Sequence, residues 1–525
     1  MNAAKHLRFL MMAVLVACTS ACASTRGYRS GNDYVIDRKV NLRGGILTTP
    51  EGCNLVFKGK GKIFNGTVVG QRTNIVAEKR PIMENVAIAR EGTWRTAKSY
   101  PEWFGACDKP SYDSKMAIQK AIDVADTCVL SQYYYTSYDS PTGRGDDVKV
   151  CAIAVMNKSI IGLPENKLFV DAKYSNTERT SVFWVGDNVT IDGVNVEFLN
   201  EDHSGWTGIQ AGVYRVYGGN VKIENTTLRG AMAAWVNLIG QPGRENFIIR
   251  NNFVHDCDCG LIIQGNQHTS GEVYSIKLLM ENNVIEKEKE RHSEFVSFWG
   301  SCKDGGVVYY TDVTIKDNHF SGGTKGGCIT GHPQRNGLKN VVITDNTFYD
   351  CGACSFYNCD GLVYKRNYVT GSTFVERQVK KEMGSYPNLA FYNCKNCMID
   401  NNSCFGLYVE DCQNMNIGKL KQTLEMKADD SFLLQQPAYV TNFIGVRAKN
   451  STVSIDELTI NPFDDDEAYT DLCRYYVSKI EGSDIRVKKT ISTIPIQVSA
   501  KRVNMGEKIF KVKEVTKNMY IEMVK

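Results

Sequence analysis

The chain has 525 residues, of which 42% are hydrophobic and 23% are charged. This composition is ordinary for a folded globular protein and argues against disorder. The 62 Lys and Arg residues against 58 Asp and Glu residues leave a formal charge of +4, a balance that gives no support to nucleic-acid binding.

The first residues are predicted to form an export signal. Two basic residues precede an apolar run over residues 9–17, the layout of a secretory signal rather than of a membrane span. Residues 15–18, Leu-Val-Ala-Cys, resemble the bacterial lipobox, whose cysteine becomes acylated. We therefore expect residues 1–17 to be a lipoprotein signal peptide and Cys18 to carry lipid, with an ordinary cleavage site near residues 21–23 as the alternative.

A lipid on Cys18 would attach the protein to the outer membrane, with residues 18–32 as a linker. The sequence leaves open whether the protein then faces the periplasm or the cell surface. No later apolar run is long enough to span a bilayer. Membrane contact is therefore expected through the lipid anchor only.

Short strands and one helix are predicted next. Residues 33–99 alternate apolar and polar positions between glycine-rich turns, which predicts an N-terminal run of β-rungs. The following segment has apolar residues at helical spacing, which predicts an amphipathic helix near residues 113–125. These apolar residues are Met116, Ile118, Ala121, Ile122 and Val124.

A phrase of the form apolar-x-[Asn/Asp]-Asn-x-apolar then recurs at intervals of roughly 20 to 35 residues. It occurs as IENTTL at 223, IRNNFV at 249, MENNVI at 280, IKDNHF at 315, ITDNTF at 343, YKRNYV at 364 and IDNNSC at 399. Asn tolerates left-handed backbone, so each phrase predicts a short strand with a tight bend. A second short apolar stretch follows most phrases. Two or more strands per repeat without a helix are typical of a β-solenoid.

These phrases resemble right-handed parallel β-helix proteins of the pectin-lyase-like superfamily, over roughly residues 30–430, as in Bacteroidetes-type exported lipoproteins. Residues 100–123 also resemble the family's leading segment, FGA-x-GDG-x-x-DD-x-x-AIQ-x-AI. The matching residues are Phe104, Gly105, Ala106, Asp108, Asp113, Ala117, Ile118, Gln119 and Ile122. The resemblance implies an all-β fold over residues 100–430, with a helix that caps one end. Residues 431–525 are expected to form final rungs or a β-rich C-terminal cap.

Eighteen cysteines raise the question of disulfides or metal. Two C-x2-C pairs, at 351–354 and 394–397, would by themselves suggest zinc. However, Cys359, Cys394 and Cys412 each end a strand at an equivalent position of the repeat. We therefore expect them to stack as small apolar residues, with one or two disulfides or a zinc site as alternatives. No feature of the sequence requires a metal.

Candidate functional residues concentrate in residues 255–335. Each group follows one Asn phrase, so successive groups should lie one rung, or about 4.8 Å, apart. The catalytic candidates are Asp256, Asp258, Glu294, His332 and Arg335. The substrate-binding candidates are His255, His292, Trp299 and Lys325.

Two chemistries fit these residues. Glycoside hydrolysis needs two carboxyl groups about 5 to 9.5 Å apart, one of them acting as an acid. Asp256 or Asp258 with Glu294 could supply them. Uronate β-elimination needs a basic side chain and a cation such as Ca2+ to neutralise the substrate carboxylate. The candidates for that chemistry are Lys303, Lys325, His332 and Arg335.

Each candidate also has a structural interpretation. Asp256 and Asp258 could be turn residues that bond to the main chain. Glu294 and His292 follow a charge run that is typical of a solvated loop. Trp299 could be a core residue or a platform for a sugar ring.

The sequence thus predicts an exported, lipid-anchored β-helix protein that acts on polysaccharide as a glycoside hydrolase or polysaccharide lyase. No cofactor is expected, except Ca2+ if the protein is a lyase. The alternative is a non-catalytic glycan-binding or adhesive surface lipoprotein. The oligomeric state is not predicted.

Overall fold

A computed structural model provides the structure of the protein. It describes residues 29–30, 33–137, 151–171, 180–199, 211–239, 243–268, 270–287, 294–302, 306–322, 327–331, 336–349, 351, 353–370, 389–404, 406–424, 442–463, 475–492 and 496–500. The predicted signal peptide and Cys18 lie outside the described residues.

The chain divides into two compact units, one up to residue 202 with 206–209, and one of residues 203–205 and 210–525. The strands of the first unit are β1 (Arg29–Ser30), β2 (Asp33–Ile36), β3 (Lys39–Asn41), β4 (Ile46–Thr48), β5 (Asn54–Phe57), β6 (Lys62–Val69), β7 (Asn74–Val76), β8 (Met83–Ile88), β9 (Thr96–Ser99), β10 (Ala125–Leu130), β11 (Tyr133–Ser137), β12 (Cys151–Val155), β13 (Ser159–Gly162), β14 (Lys167–Asp171), β15 (Thr180–Val185), β16 (Val189–Asp192) and β17 (Asn195–Phe198). The domain boundaries predicted at 99/100 and 430/431 stay predictions.

The second unit continues the numbering. Its strands are β18 (Ala211–Val216), β19 (Val221–Glu224), β20 (Thr227–Ile239), β21 (Phe247–Arg250), β22 (Phe253–His268), β23 (Val273–Glu281), β24 (Val284–Glu286), β25 (Val296–Cys302), β26 (Val308–Lys316), β27 (His319–Ser321), β28 (Gly327–Thr330), β29 (Asn336–Lys339), β30 (Val342–Thr344), β31 (Thr347–Tyr349), β32 (Ala353–Tyr357), β33 (Val363–Lys365), β34 (Tyr368–Thr370), β35 (Leu389–Tyr392), β36 (Met398–Asp400), β37 (Asn402–Cys404), β38 (Leu407–Glu410), β39 (Met415–Leu424), β40 (Asn442–Lys449), β41 (Thr452–Phe463), β42 (Tyr475–Glu481), β43 (Asp484–Ser492) and β44 (Ile496–Ala500).

The first unit contains the predicted helix. A single 3-10 turn at Pro101–Phe104 precedes α1, which spans Lys115–Val124. The Gln119 side-chain amide accepts the main-chain N–H of Ala154 in β12 at 2.8 Å and donates to the main-chain oxygen of Ala154 at 3.0 Å. The helix is therefore bonded to β12 through the same main-chain groups that a neighbouring strand would use. Ile118, Ala121, Ile122 and Val124 are buried, whereas Met116 is 46% exposed, so the predicted apolar stripe is narrower by one residue.

Parallel strands stack on three sides of the second unit. The first stack contains β19, β21, β23, β26, β30, β33, β36, β39, β41 and β43. The second stack contains the first halves of β20 and β22, then β24, β27, β31 and β34. The third stack contains β18, the second halves of β20 and β22, then β25, β28, β32, β35, β38, β40, β42 and β44. The predicted right-handed parallel β-helix is confirmed.

The core lies between the stacks, where equivalent residues of successive rungs pack on one another. Phe295, Phe320 and Phe348 form such a column, with ring centroids 5.1 Å apart at each step. A rung buries its apolar side chains only against neighbouring rungs, so the rungs stabilise one another cooperatively.

The Asn phrase forms the corner between the first and second stacks. Its first Asn or Asp has left-handed backbone, as at Asn282 with φ 54° and Asp317 with φ 56°, which confirms the predicted bend. Its second Asn is buried and bonds to the next rung: Asn283 donates to Asn318 Oδ1 through both its main-chain N–H and its Nδ2, at 3.0 and 2.9 Å. Asn318 repeats this contact with Asn346. The phrase recurs because every rung must satisfy these buried groups.

The cysteine column is also confirmed. Cys394 Sγ accepts the N–H of Cys359 at 3.4 Å, and Cys412 Sγ accepts the N–H of Cys394 at 3.2 Å. On the next rung Ser451 Oγ accepts the N–H of Cys412 at 3.0 Å. The thiols therefore satisfy backbone donors at a corner, as a serine does one rung later. Cys359, Cys394 and Cys412 form no disulfide bond.

No helix among the described residues is long and apolar enough to cross a membrane.

Candidate functional site

Strand β22 turns a corner at the sequence His-Asp-Cys-Asp-Cys. Its residues 253–255 pair with β24 in the second stack, and its residues 261–265 pair with β25 in the third. Asp256 makes the bend with φ 65° and is 4% exposed. The interpretation of Asp256 as a turn residue therefore holds. Leu261 and Ile263 face the core and are fully buried, while Ile262 faces outward.

A buried lysine links the strands at this corner. Lys287 follows β24 and is 6% exposed. Its Nζ donates to the main-chain oxygen of Asp258 at 2.7 Å and to that of Glu294 at 3.0 Å. The ammonium also lies 4.6 Å from the centroid of the Phe295 ring, a cation–π contact. One cation thus holds the backbones of two candidate carboxylate residues together.

Asp258 is half-buried beside this lysine. Burial raises the pKa of its carboxyl group to about 6, although the nearby Lys287 charge acts to lower it and the Asp256 charge to raise it further. Removing a carboxylate from water disfavours its charged form. Asp258 can therefore hold a proton at mildly acidic pH, as a general acid must.

Glu294 lies on the adjacent rung. Its main-chain oxygen accepts the N–H of Gly260 at 2.8 Å. Its side-chain Oε2 accepts hydrogen bonds from Ser297 Oγ at 2.7 Å and from Cys259 Sγ at 3.8 Å. These bonds hold the carboxylate in one orientation. The charges of both Glu294 and Asp258 contribute to raising the pKa of Cys259, after burial as the main cause, so both carboxylates lie near this thiol.

The two cysteines of the corner are poor nucleophiles. Burial is the main reason that the pKa of Cys257 is raised to about 11 and that of Cys259 well above its ordinary value. Nucleophilic attack requires the thiolate. Neither thiol is therefore suited to nucleophilic attack.

Trp299 lies in β25 on the outer surface of the third stack. It packs against the buried side chains of Ala234, Cys259 and Ile262 and is partly exposed itself. Trp299 is therefore outside the core, beside the Glu294 carboxylate's partners Cys259 and Ser297. This position suits a platform for a sugar ring, one of its two predicted roles.

His255 lies on a different surface. The bend at Asp256 leaves it on the outer side of the second stack, where its Nδ1 is 4.0 Å from Glu286 Oε2. The predicted substrate-binding residue His255 is therefore separated by the corner from Trp299. The candidates His292, Lys325, His332 and Arg335, with Lys303, lie outside the described residues, so their roles stay predictions.

Three residues that contact Asp258 or Glu294 were not among the predicted site residues: Lys287, Cys259 and Ser297. Lys287 is the second residue of the charge run that was interpreted as a solvated loop, yet it follows the inward residue Ile285 by two positions. Strand parity was therefore a signal that it points inward. Ser297 carries no comparable signal. Within the part of the chain that the structure describes, no group of three or more His, Cys, Asp or Glu side chains is arranged to hold a metal ion.

No protein-family model and no curated protein matches the chain. Among solved structures it is similar to the enzymatically active domain of tailspike protein 2 of bacteriophage CBA120, with 12% identity and a TM-score of 0.30 over 76% of this chain. Tailspike protein 3 of the same phage gives 12% identity and a TM-score of 0.48 over 78% of the chain. The family 28 exopolygalacturonase of Yersinia enterocolitica gives 11% identity and a TM-score of 0.39, and the match covers 76% of this chain and 78% of the enzyme.

The chain spans 43% of the first of these tailspike proteins and 59% of the second. At these identities and scores the similarities carry no conclusion about activity. The parallel register of the stacked strands shows the class of protein, a parallel β-helix.

Proposed function

We propose that this protein binds polysaccharide along the outer surface of the third stack and hydrolyses it at the corner formed by Asp258 and Glu294. The observation that carries the proposal is that Asp258 and Glu294 lie on adjacent rungs, with their main-chain oxygens both bonded by Lys287 and the Glu294 carboxylate bonded by Cys259 Sγ. Glycoside hydrolysis uses such a pair, one group as the acid and the other as base or nucleophile.

The two environments assign different roles. Asp258 has a pKa of about 6 because of burial, which suits the proton donor to the leaving oxygen. Glu294 is oriented by Ser297 and Cys259, which suits a carboxylate that activates water or attacks the sugar carbon. Trp299 on the same outer surface offers a flat apolar face to a sugar ring.

Activity should be measured on a panel of neutral and uronate-containing polysaccharides, by new reducing ends and by the absorbance of unsaturated products. New reducing ends without absorbance would identify a hydrolase. Asp258→Asn and Glu294→Gln should each reduce the rate by at least about 100-fold, and activity should fall as the pH rises above about 6, where Asp258 loses its proton.

Glu286→Gln is a matched control, because this carboxylate lies across the corner beside His255. Equal rates for Glu294→Gln and Glu286→Gln would contradict the proposed site. Unsaturated products would identify a lyase instead of a hydrolase, and the dependence of that activity on Ca2+ should then be measured. Binding without any product would favour the non-catalytic glycan-binding or adhesive function.

We also propose that the protein is exported and anchored to the outer membrane through acylated Cys18. The proposal rests on the basic residues, the apolar run and the Leu-Val-Ala-Cys sequence at the start of the chain.

A further inference from the structure

Three polar side chains on the outer surface of the third stack each have an atom that is shielded from solvent and makes no hydrogen bond. The atoms are Arg215 Nε, Asn237 Oδ1 and Gln264 Nε2. They lie in the consecutive strands β18, β20 and β22, because Arg215 pairs with Asn237, and Asn237 with Ile262 two positions before Gln264.

Strand parity shows that these side chains face away from the core. The neighbours of Arg215 in its strand, Tyr214 and Val216, are each 1% exposed and face inward. Gln264 alternates with the buried Ile263 and pairs with Trp299 on the next rung. Gln264 is nevertheless only 5% exposed.

A buried polar atom without a partner costs about 1 to 3 kcal/mol. The fold satisfies comparable groups elsewhere on its outer surface. In the first stack, Arg250 Nε donates to Glu224 Oε2 at 2.7 Å, and Lys316 Nζ lies 3.0 Å from Glu281 Oε2. Among the described outward-facing side chains of the second unit, such unpartnered atoms occur at Arg215, Asn237 and Gln264 on the third stack and at His255 on the second. Three of these four residues follow one another on the stack that carries Trp299, which indicates groups that a ligand completes.

The chemistry of the three atoms defines the ligand. An amide oxygen accepts a hydrogen bond from a sugar hydroxyl, and an amide nitrogen donates a hydrogen bond to one. Arg215 contacts the ring of Tyr217, 5.5 Å from its guanidinium carbon, and has no ion pair within the described residues. A guanidinium with no acidic partner is suited to a carboxylate or a sulfate, which it can bind through two parallel hydrogen bonds.

We propose that Arg215, Asn237 and Gln264 form a subsite for a negatively charged sugar, within a strip that leads to the Asp258 and Glu294 corner. This rests on the proposed function, since it places the ligand on the same outer surface. Arg215 lies three rungs before Ser297, a separation of about 14 Å at 4.8 Å per rung. The ligand must therefore be an oligosaccharide of several sugars rather than a monosaccharide.

The test is calorimetric binding of three oligosaccharides with one backbone: neutral, carboxylated and sulfated. The full chain carries Glu294→Gln, so that cleavage does not interfere. At least one charged oligosaccharide should bind 10-fold or more tightly than the neutral one, and added salt should reduce this difference. Preference for the carboxylated or for the sulfated compound identifies which anion the subsite takes.

Arg215→Gln should abolish the preference for charge and leave binding of the neutral compound within about twofold. Arg229→Gln is the matched control, since Arg229 is an exposed arginine on the second stack. Gln264→Met keeps the side-chain length and removes the unsatisfied amide, so it should weaken binding of all three compounds while leaving the free protein at least as stable.

Equal affinity for the neutral and charged compounds would overturn the proposal, as would equal effects of Arg215→Gln and Arg229→Gln, or no binding of any compound. Binding that follows these expectations, in a protein that cleaves nothing, would support the subsite and contradict only the proposed hydrolysis.

Discussion

Replacement of Asp258 by Asn should stabilise the protein at high pH and have little effect at low pH. Burial shifts the pKa of this carboxyl from 3.8 to about 6, so the folded protein binds the proton more tightly than the unfolded chain. The stability that this proton contributes is fully present below pH 3.8 and is lost as the pH rises through about 6. Above that pH the folded protein holds a half-buried charge that asparagine lacks.

The expected size follows from the shift. Two pKa units correspond to about 3 kcal/mol, and partial exposure of Asp258 reduces this to about 1 to 2 kcal/mol because solvent screens the charge. Asp258→Asn should therefore raise the free energy of unfolding by about 1 to 2 kcal/mol more at pH 8 than at about pH 4.

Urea unfolding at the two pH values, followed by circular dichroism and tryptophan fluorescence, measures this difference. Asp108→Asn, at an exposed position, is the control for the general effect of removing one carboxylate. An effect of Asp258→Asn that is the same at both pH values, or that is less stabilising at pH 8, would refute the inference that burial dominates at this carboxyl.

Two further predictions concern the hydrogen bonds between the corner asparagines of successive rungs and the lipid anchor. Asn318→Ala leaves both donors of Asn283 without an acceptor, so it should lower the free energy of unfolding by about 3 kcal/mol. The control Asn414→Gly, at an exposed left-handed position, should lower it by less than about 1 kcal/mol. Equal losses for the two variants in urea unfolding would contradict a stabilising role for the asparagine bonds between rungs. Cys18→Ala should move the protein from the membrane fraction to the soluble fraction of a lipoprotein-processing bacterium, and retention in the membrane would contradict acylation there.

The repeat was predictable because its cause is local and recurs. Each corner needs one residue with left-handed backbone and one buried amide that bonds to the next rung, so the pair Asn-Asn or Asp-Asn returns, as at Asn282–Asn283 and Asp317–Asn318. The same logic exposed the cysteine column, because residues at equivalent positions of a solenoid must stack.

The candidate site was predictable only in part. Asp258 and Glu294 follow two successive Asn phrases, and this spacing correctly indicated that they lie on adjacent rungs. The surface that each side chain faces was not predictable, because one bend at Asp256 reverses the simple alternation and separates His255 from Trp299. Lys287 was missed because its surrounding charge run is typical of a solvated loop.

The sequence by itself determined the solenoid, since a strand period, a corner residue and a repeat length are all local properties of the chain. Only the tertiary structure decided which polar groups are left unsatisfied. Arg215, Asn237 and Gln264 are unremarkable in sequence, and their solvent-shielded atoms become a candidate subsite because three separate rungs bring them to one surface. Burial and hydrogen bonding depend on neighbours from distant parts of the chain.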